Sequence, residues 1–344
     1  MPPTASELTS LGIETFDRGE YLGALDRFGE AISRARQEGQ GEQELNALDW
    51  LCTSLFNTGE YRATVTANQR LRRRAEQLDS AEYQMRSLLG EAVTIERCDL
   101  RRRWPEVRSL LLAGLNIAHR LHDVYYEVCH LSRLGGYAVR AGDAEAGRAW
   151  LVEAGVKITR GVTKRDYLRY ILHRYFSRCA LGLGNVALGW TYAQFAQQAA
   201  IQFGNPNFVA TSHLYLARAE RARGRLQPAL ERVERALSGA LQMHWRVDEQ
   251  DAEQQRGELL CDLGRPAAAE TAAQRALELA REMSMKEEEV RALLCLGRVR
   301  PGVGGHRSLT EALRLARERA YADHAAAAQR LLAGAAGRPA GPPH

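Results

Sequence analysis

Lysine is almost missing from this chain. Of 47 basic residues, only Lys157, Lys164 and Lys286 are lysines, and the rest are arginines. Together with the abundance of alanine, this fits a GC-rich coding composition. The 42 acidic residues leave a net charge of +5 on 344 residues. Such a mild excess suits acidic partners without specifying nucleic acid. Long apolar runs are also missing. Stretches such as Leu110-Leu111-Leu112-Ala113-Gly114-Leu115 fall far short of the ~20 residues a membrane span needs. Residues 1–7 show no basic segment followed by an apolar stretch, so no secretory signal is read there, and the expected location is the cytoplasm. A hydrophobic content of 45% with 26% charged residues belongs to a folded chain, not a disordered one.

Chemistry-bearing motifs are scarce as well. No Gly-x-x-x-x-Gly-Lys-Ser/Thr loop occurs, which removes the commonest phosphate cradle. Leu181-Gly182-Leu183-Gly184-Asn185 has the wrong spacing for a dinucleotide turn. The cysteines Cys52, Cys98, Cys129, Cys179, Cys261 and Cys295 include no Cys-x-x-Cys pair and read as reduced core filler. His119, His122 and His130 surround Cys129, but their spacing is too loose for a metal site. No Ser-His-Asp or Cys-His arrangement stands out. The expectation is no enzyme, no cofactor and no metal.

What is present is a repeat. A glycine punctuates the chain at Gly19, Gly59, Gly142, Gly184, Gly224, Gly264 and Gly304, with Arg102 in the equivalent place of the third unit. The steps are 40, 43, 40, 42, 40, 40 and 40 residues. Twelve residues after each turn come Ala31, Leu71, Gly114, Ala154, Ala196, Ala236, Ala276 and Ala316. Five residues after it come Ala24, Thr64, Val107, Gly147, Gly189, Ala229, Ala269 and Leu309. Seven residues before it come Gly12, Cys52, Ile95, Gly135, Ser177, Ala217, Gly257 and Gly297. Small residues at fixed offsets let two antiparallel helices approach closely around a tight turn. One such pair cannot bury its own apolar faces, so neighbouring pairs stack.

Leu11-Gly12, Gly19, Tyr21, Ala24, Phe28 and Ala31 resemble a near-complete tetratricopeptide repeat (TPR) signature. Leu51, Gly59 and Tyr61 repeat part of it, as do Leu134-Gly135 with Gly142, and Leu216 with Gly224, Ala229 and Ala236. The resemblance spans roughly residues 5 to 330. The common TPR unit has about 34 residues, and the longer units here are similar to those in the helical sensor region of MalT-like bacterial regulators. Units three and five match least well. The resemblance implies an all-α, right-handed superhelical solenoid of about eight helix-turn-helix units plus a capping helix near residues 321–332. It occupies residues 1–333 as one domain, followed by a disordered Gly/Pro-rich tail at 334–344. Residues 155–163 are its expected soft point.

The resemblance also implies a function: holding another protein or peptide in a groove lined by the first helix of each unit. Projected onto this sequence, the groove comprises Asn46, Asp49, Thr53 and Asn57 in unit two, and Ser132, Gly136 and Arg140 in unit four. Arg174 and Arg178 follow in unit five, Arg218 and Arg221 in unit six, and Asp251, Gln254, Glu258 and Asp262 in unit seven. The expected groove is basic in the middle and acidic towards its C-terminal end. Arg174, Arg178 and Arg218 would receive a carboxylate-bearing segment, since guanidinium groups pair well with carboxylates. The Lys-Asn pattern of carboxylate-clamp TPR adaptors is not reproduced. Two other readings stand beside this one. The clusters Arg70, Arg72, Arg73, Arg74 and Arg101, Arg102, Arg103 could serve nucleic acid, although charge runs at helix ends are usually solvated. The aromatics between Lys164 and Phe208 could line a pocket for a small ligand or signal peptide, although most suit core packing.

Overall fold

The computed structural model describes residues 2–158, 162–300 and 302–336. Among these there are sixteen α-helices and no strand. In chain order they are α1 (Ala5–Asp17), α2 (Tyr21–Gln37), α3 (Gly41–Thr58), α4 (Tyr61–Gln77), α5 (Ala81–Leu121), α6 (Val124–Arg140), α7 (Ala144–Lys157) and α8 (Arg165–Gly182). There follow α9 (Val186–Phe203), α10 (Pro206–Ala222), α11 (Leu226–Gln242), α12 (Arg246–Asp262), α13 (Pro266–Glu282), α14 (Lys286–Val299), α15 (Gly302–Glu318) and α16 (Ala322–Ala336).

Local chemistry sets the helix ends. Thr4 opens α1 with a capping box, accepting from the Glu7 amide while Glu7 reaches back to the Thr4 amide. Asp123, Asp143, Asn185 and Asn205 cap later helices through their side-chain oxygens. Gly19, Gly59, Gly142, Gly184, Gly224 and Gly264 all take the left-handed backbone conformation between paired helices, which is the role their spacing predicts.

Two turns differ from the sequence reading. Arg102 makes no turn. The chain bends at Asp99 (φ −164°, ψ 58°), and the long α5 holds both limbs of unit three. Met85 and Leu88 near its start share an apolar cluster with Ile117 and Ala118 near its end, so the limbs run back along each other. The bend lies 40 residues after Gly59, which moves the 43-residue step to the interval between Asp99 and Gly142. In unit eight the left-handed residue is Gly302, and Gly304 is already inside α15.

The small residues do what the repeat requires. Every residue twelve places after a turn is buried, from Ala31 to Ala316, as is every residue five places after it. The position seven before a turn meets the position five after it. A Cβ on Gly135 would stand 2.8 Å from the Gly147 carbonyl oxygen, and one on Gly147 would stand 2.7 Å from that of Gly135. Ser177 fills the same slot in unit five and donates to the Gly189 carbonyl at 2.8 Å. Four of the six cysteines are buried, Cys98 and Cys261 are half-buried, and all six are free.

The cap is α16, and it runs on to Ala336, beyond the expected start of the tail. Residues 337–344 lie outside the described residues, as do 159–161 in the expected soft stretch, whose beginning is the last turn of α7. The array also closes on itself. Packing joins α3 to α12 and α5 to α14, bringing units two and three against units seven and eight. Tyr61, Val247, Leu279, Met283 and Met285 form a shared apolar cluster there. Trp245 Nε1 donates to Asn57 Oδ1 at 2.6 Å, and the buried Tyr321 hydroxyl donates to Asp99 Oδ1 at 2.5 Å. Arg319 adds a second bond to Asp99 at 3.0 Å.

Candidate functional site

Closure turns the expected groove into a central chamber. Its wall is built from the first helices, α5, α6, α8, α10, α12 and α14, with α16 across one side. Two adjoining cavities of about 400 and 240 Å³ share Arg101, Arg140, Arg178, Arg218 and Glu287.

Six of the fifteen expected groove residues pair with one another, and several more pair with other residues of the chain. Arg218 Nη2 donates to both oxygens of Asp251 at 2.6 Å. Arg221 binds Glu258 at 2.5 Å and Asp262 at 2.6 Å. Unit six therefore uses its basic face to dock on the acidic face of unit seven. The anticipated basic middle and acidic end largely neutralise each other. Arg140 binds Glu96, Glu287 and Glu288, the last two at 2.8 and 3.2 Å. Asp49 pairs with Arg86 of the next unit, and Gln254 donates to Glu258. Thr53 bonds back to its own helix. Asn57 is held by Trp245 in the closing contact. Asn46 is half-buried on α3 and does not line the chamber. Ser132 is buried, and Gly136 gives room to Tyr175, whose ring would lie 2.1 Å from an added Cβ.

Arg174 serves aromatics instead of a carboxylate. Its Nη2 donates to the Tyr175 hydroxyl at 3.0 Å, its Nη1 to that of Tyr215 at 3.3 Å, and its guanidinium lies 4.7 Å from the Tyr175 ring centre. Burial alone would raise the Tyr175 phenol, but Arg174 and Arg133 outweigh it and hold it below the ordinary value. Arg133 itself donates to the Cys129 carbonyl.

Arg178 differs from all of these. Among the described residues, its guanidinium has no hydrogen-bond partner and no carboxylate within ion-pair distance. Burial first, then Arg218 and Arg140, push it down to about 10. Glu96 is the nearby opposing charge, and Arg140 and Arg97 already engage it. On the acidic side, burial disfavours charge on Glu287, but Arg140, His324 and Arg101 outweigh it and hold its carboxyl well below the usual range. Glu288, beside it, is raised by burial and by Glu287.

Sequence reasoning missed Arg97, Arg101, Glu96, Tyr215, Glu287 and Glu288 as chamber residues. The one available signal was the run Glu287-Glu288-Glu289, whose three side chains are buried at 5–8% exposure. The arginine clusters are not simply solvated either. Arg72 pairs with Glu91, Arg74 with Glu44, and Arg101 with Glu287 and Asp323. The aromatic stretch is mainly core: Tyr170 is fully buried and stacks on Phe208 at 4.9 Å. Phe195 remains 45% exposed.

No protein-family model matches this chain, and no curated protein matches it in sequence. Solved structures do match in shape. A Rap protein complexed with competence and sporulation factor is 13% identical, with a TM-score of 0.62 over 90% of this chain and 79% of that one. A STAND-type signal-transduction ATPase with a tetratricopeptide repeat sensor, from Pyrococcus horikoshii, is 13% identical with a TM-score of 0.54. There the match spans 90% of this chain and about half, 49%, of the other. Aspartyl phosphate phosphatase F from Bacillus subtilis is 11% identical with a TM-score of 0.51, over 98% of this chain and 95% of that one. The repeated helix pairs and these likenesses make the fold an α-solenoid of the TPR type.

Proposed function

We propose that the protein is a non-catalytic scaffold or regulatory adaptor that holds a segment of another protein or peptide on the inner face of its solenoid. The observation that carries this reading is the unbalanced charge of units four to six. Among the described residues, Arg133, Arg174 and Arg178 stand on first helices there without a carboxylate, whereas Arg140, Arg218 and Arg221 around them are neutralised within the chain. An acidic segment would supply the missing charge, with Arg178 as its anchor. The Rap protein complexed with competence and sporulation factor supports the reading by analogy of fold. Pairing of Arg72, Arg74 and Arg101 within the chain disfavours the nucleic-acid alternative.

Affinity purification from the source organism, with and without nuclease, followed by mass spectrometry, tests the reading. A nuclease-resistant protein that then binds the purified chain in titration is the expected result. Binding that disappears with nuclease would refute it. Titration of the same partner against Arg178→Ala tests the anchor, and unchanged affinity removes it.

A further inference from the structure

The closed chamber has a second property beyond partner holding. Arg178 sits where the two cavities join, and each side of it has a different character. The larger cavity presents Val139, Leu181 and the Tyr215 ring beside the guanidinium. The smaller one is polar and includes Gln250, which is 1% exposed and whose Nε2 has no hydrogen-bond partner. Arg218 Nη1, also buried, is another donor without a partner. Buried donors left unpaired are costly, and the half-buried Arg178 guanidinium beside them has no carboxylate partner among the described residues. Gln250 lines the smaller cavity, the apolar wall belongs to the larger one, and Arg178 and Arg218 line both.

The ring is also shut on several sides. Arg140 joins Glu287 and Glu288, Arg101 joins Glu287 and Asp323, and Trp245 joins Asn57. These contacts limit the chamber to what its cavities hold, a short chain end or a small molecule. The larger cavity, at about 400 Å³, lies near the lower end of small-molecule sites, roughly 300–1,000 Å³.

We propose that the chamber is a binding site for a small carboxylate with a short apolar body, its carboxylate on Arg178 and its apolar part against Val139, Leu181 and Tyr215. The same chemistry occurs in a free short-chain acid and in the last residue of a peptide. The size of the cavity favours the free acid. Binding would supply the counter-charge that Arg178 lacks and an acceptor for the orphaned donors, so the ligand would tighten the ring as a whole.

The probes are isovalerate, its neutral amide isovaleramide, inorganic phosphate, and a Gly-Gly-Leu peptide with a free C-terminus. Each is titrated against the full chain by saturation-transfer NMR and by thermal unfolding. Isovalerate is expected to bind and to raise the unfolding midpoint, the amide and phosphate to bind at least about tenfold more weakly. Arg178→Met should lose isovalerate binding by about tenfold or more. Without ligand it should unfold no earlier than the parent, because among the described residues Arg178 has no ion pair or hydrogen bond to lose. Arg178→Lys should recover part of the affinity. Equal binding of the amide, equal binding of phosphate, undiminished binding by Arg178→Met, or no binding of isovalerate overturns the proposal. Binding of the peptide alone would transfer the site to a chain end and overturn the free-acid assignment.

Discussion

Replacing glycine by alanine should have opposite signs at two helical positions of this protein. Gly135 of α6 packs against Gly147 of α7, and an added Cβ would stand 2.8 Å from the Gly147 carbonyl oxygen and 2.6 Å from Leu151 Cγ. The nearest obstacle includes backbone, so α6 and α7 must separate or tilt. Overpacking of this kind costs about 1–3 kcal/mol, and backbone contact places it near the upper end. Alanine recovers about 1 kcal/mol of helix propensity. Gly135→Ala should therefore destabilise by about 2 kcal/mol. Gly29 lies in α2 with nothing within 4 Å of an added Cβ. Gly29→Ala meets no opposing contact and should stabilise by about 0.5–1 kcal/mol. For a chain of 344 residues, each kcal/mol moves the thermal midpoint by about 1.4 °C. The two variants should differ by about 4 °C, with the parent between them. Circular dichroism at the helical band, with heat or urea, measures it. A Gly135→Ala protein as stable as the parent would refute the idea that small residues at this offset set the spacing of the helix pair.

The buried histidine makes a pH prediction. His130 is fully buried without a hydrogen-bond partner among the described residues, and burial, then Arg133, lower it to about 3. Since the unfolded chain takes up the proton near pH 6.5 and the folded one does not, stability falls as pH drops below about 6.5, by about 2 kcal/mol at pH 5 from this residue. His130→Leu should flatten that part of the urea-midpoint profile against pH, and an unchanged slope would count against it. Asp99→Ala removes the acceptor for the buried Tyr321 hydroxyl and the partner of Arg319, so it should destabilise by about 1–3 kcal/mol. Hydrogen exchange should accelerate first in α16, and uniform acceleration along the array would contradict the closing role. Ala320 holds a left-handed conformation at φ 58°. Ala320→Gly should stabilise by up to about 1 kcal/mol in thermal unfolding. Burial raises the Cys52, Cys129 and Cys295 thiols. In native protein near neutral pH a thiol reagent should therefore label the half-buried Cys261 ahead of all three, as read by peptide mass mapping.

Sequence alone determined the repeat, and for local reasons. A turn needing a left-handed backbone selects glycine, and close helix approach selects Gly, Ala or Ser at fixed offsets. Those constraints act within one unit, so they leave a mark every 40 residues or so, from Gly12 and Ala31 to Gly297 and Ala316. Where another residue served, the mark failed: the Asp99 bend needs no glycine because its φ is extended. Tertiary structure alone decided which charges are free. Arg174, Arg178 and Arg218 share one pattern in the sequence, yet Arg174 rests on tyrosines, Arg218 on Asp251, and Arg178 on no carboxylate among the described residues. Arg174 and Arg218 reach partners in the next unit, Tyr215 and Asp251, and Arg140 meets Glu287 from 147 residues away. The curvature that brings these groups together accumulates from small rotations between successive units. No single unit encodes the ring closure from Asn57 to Trp245, and that closure makes a groove into a chamber.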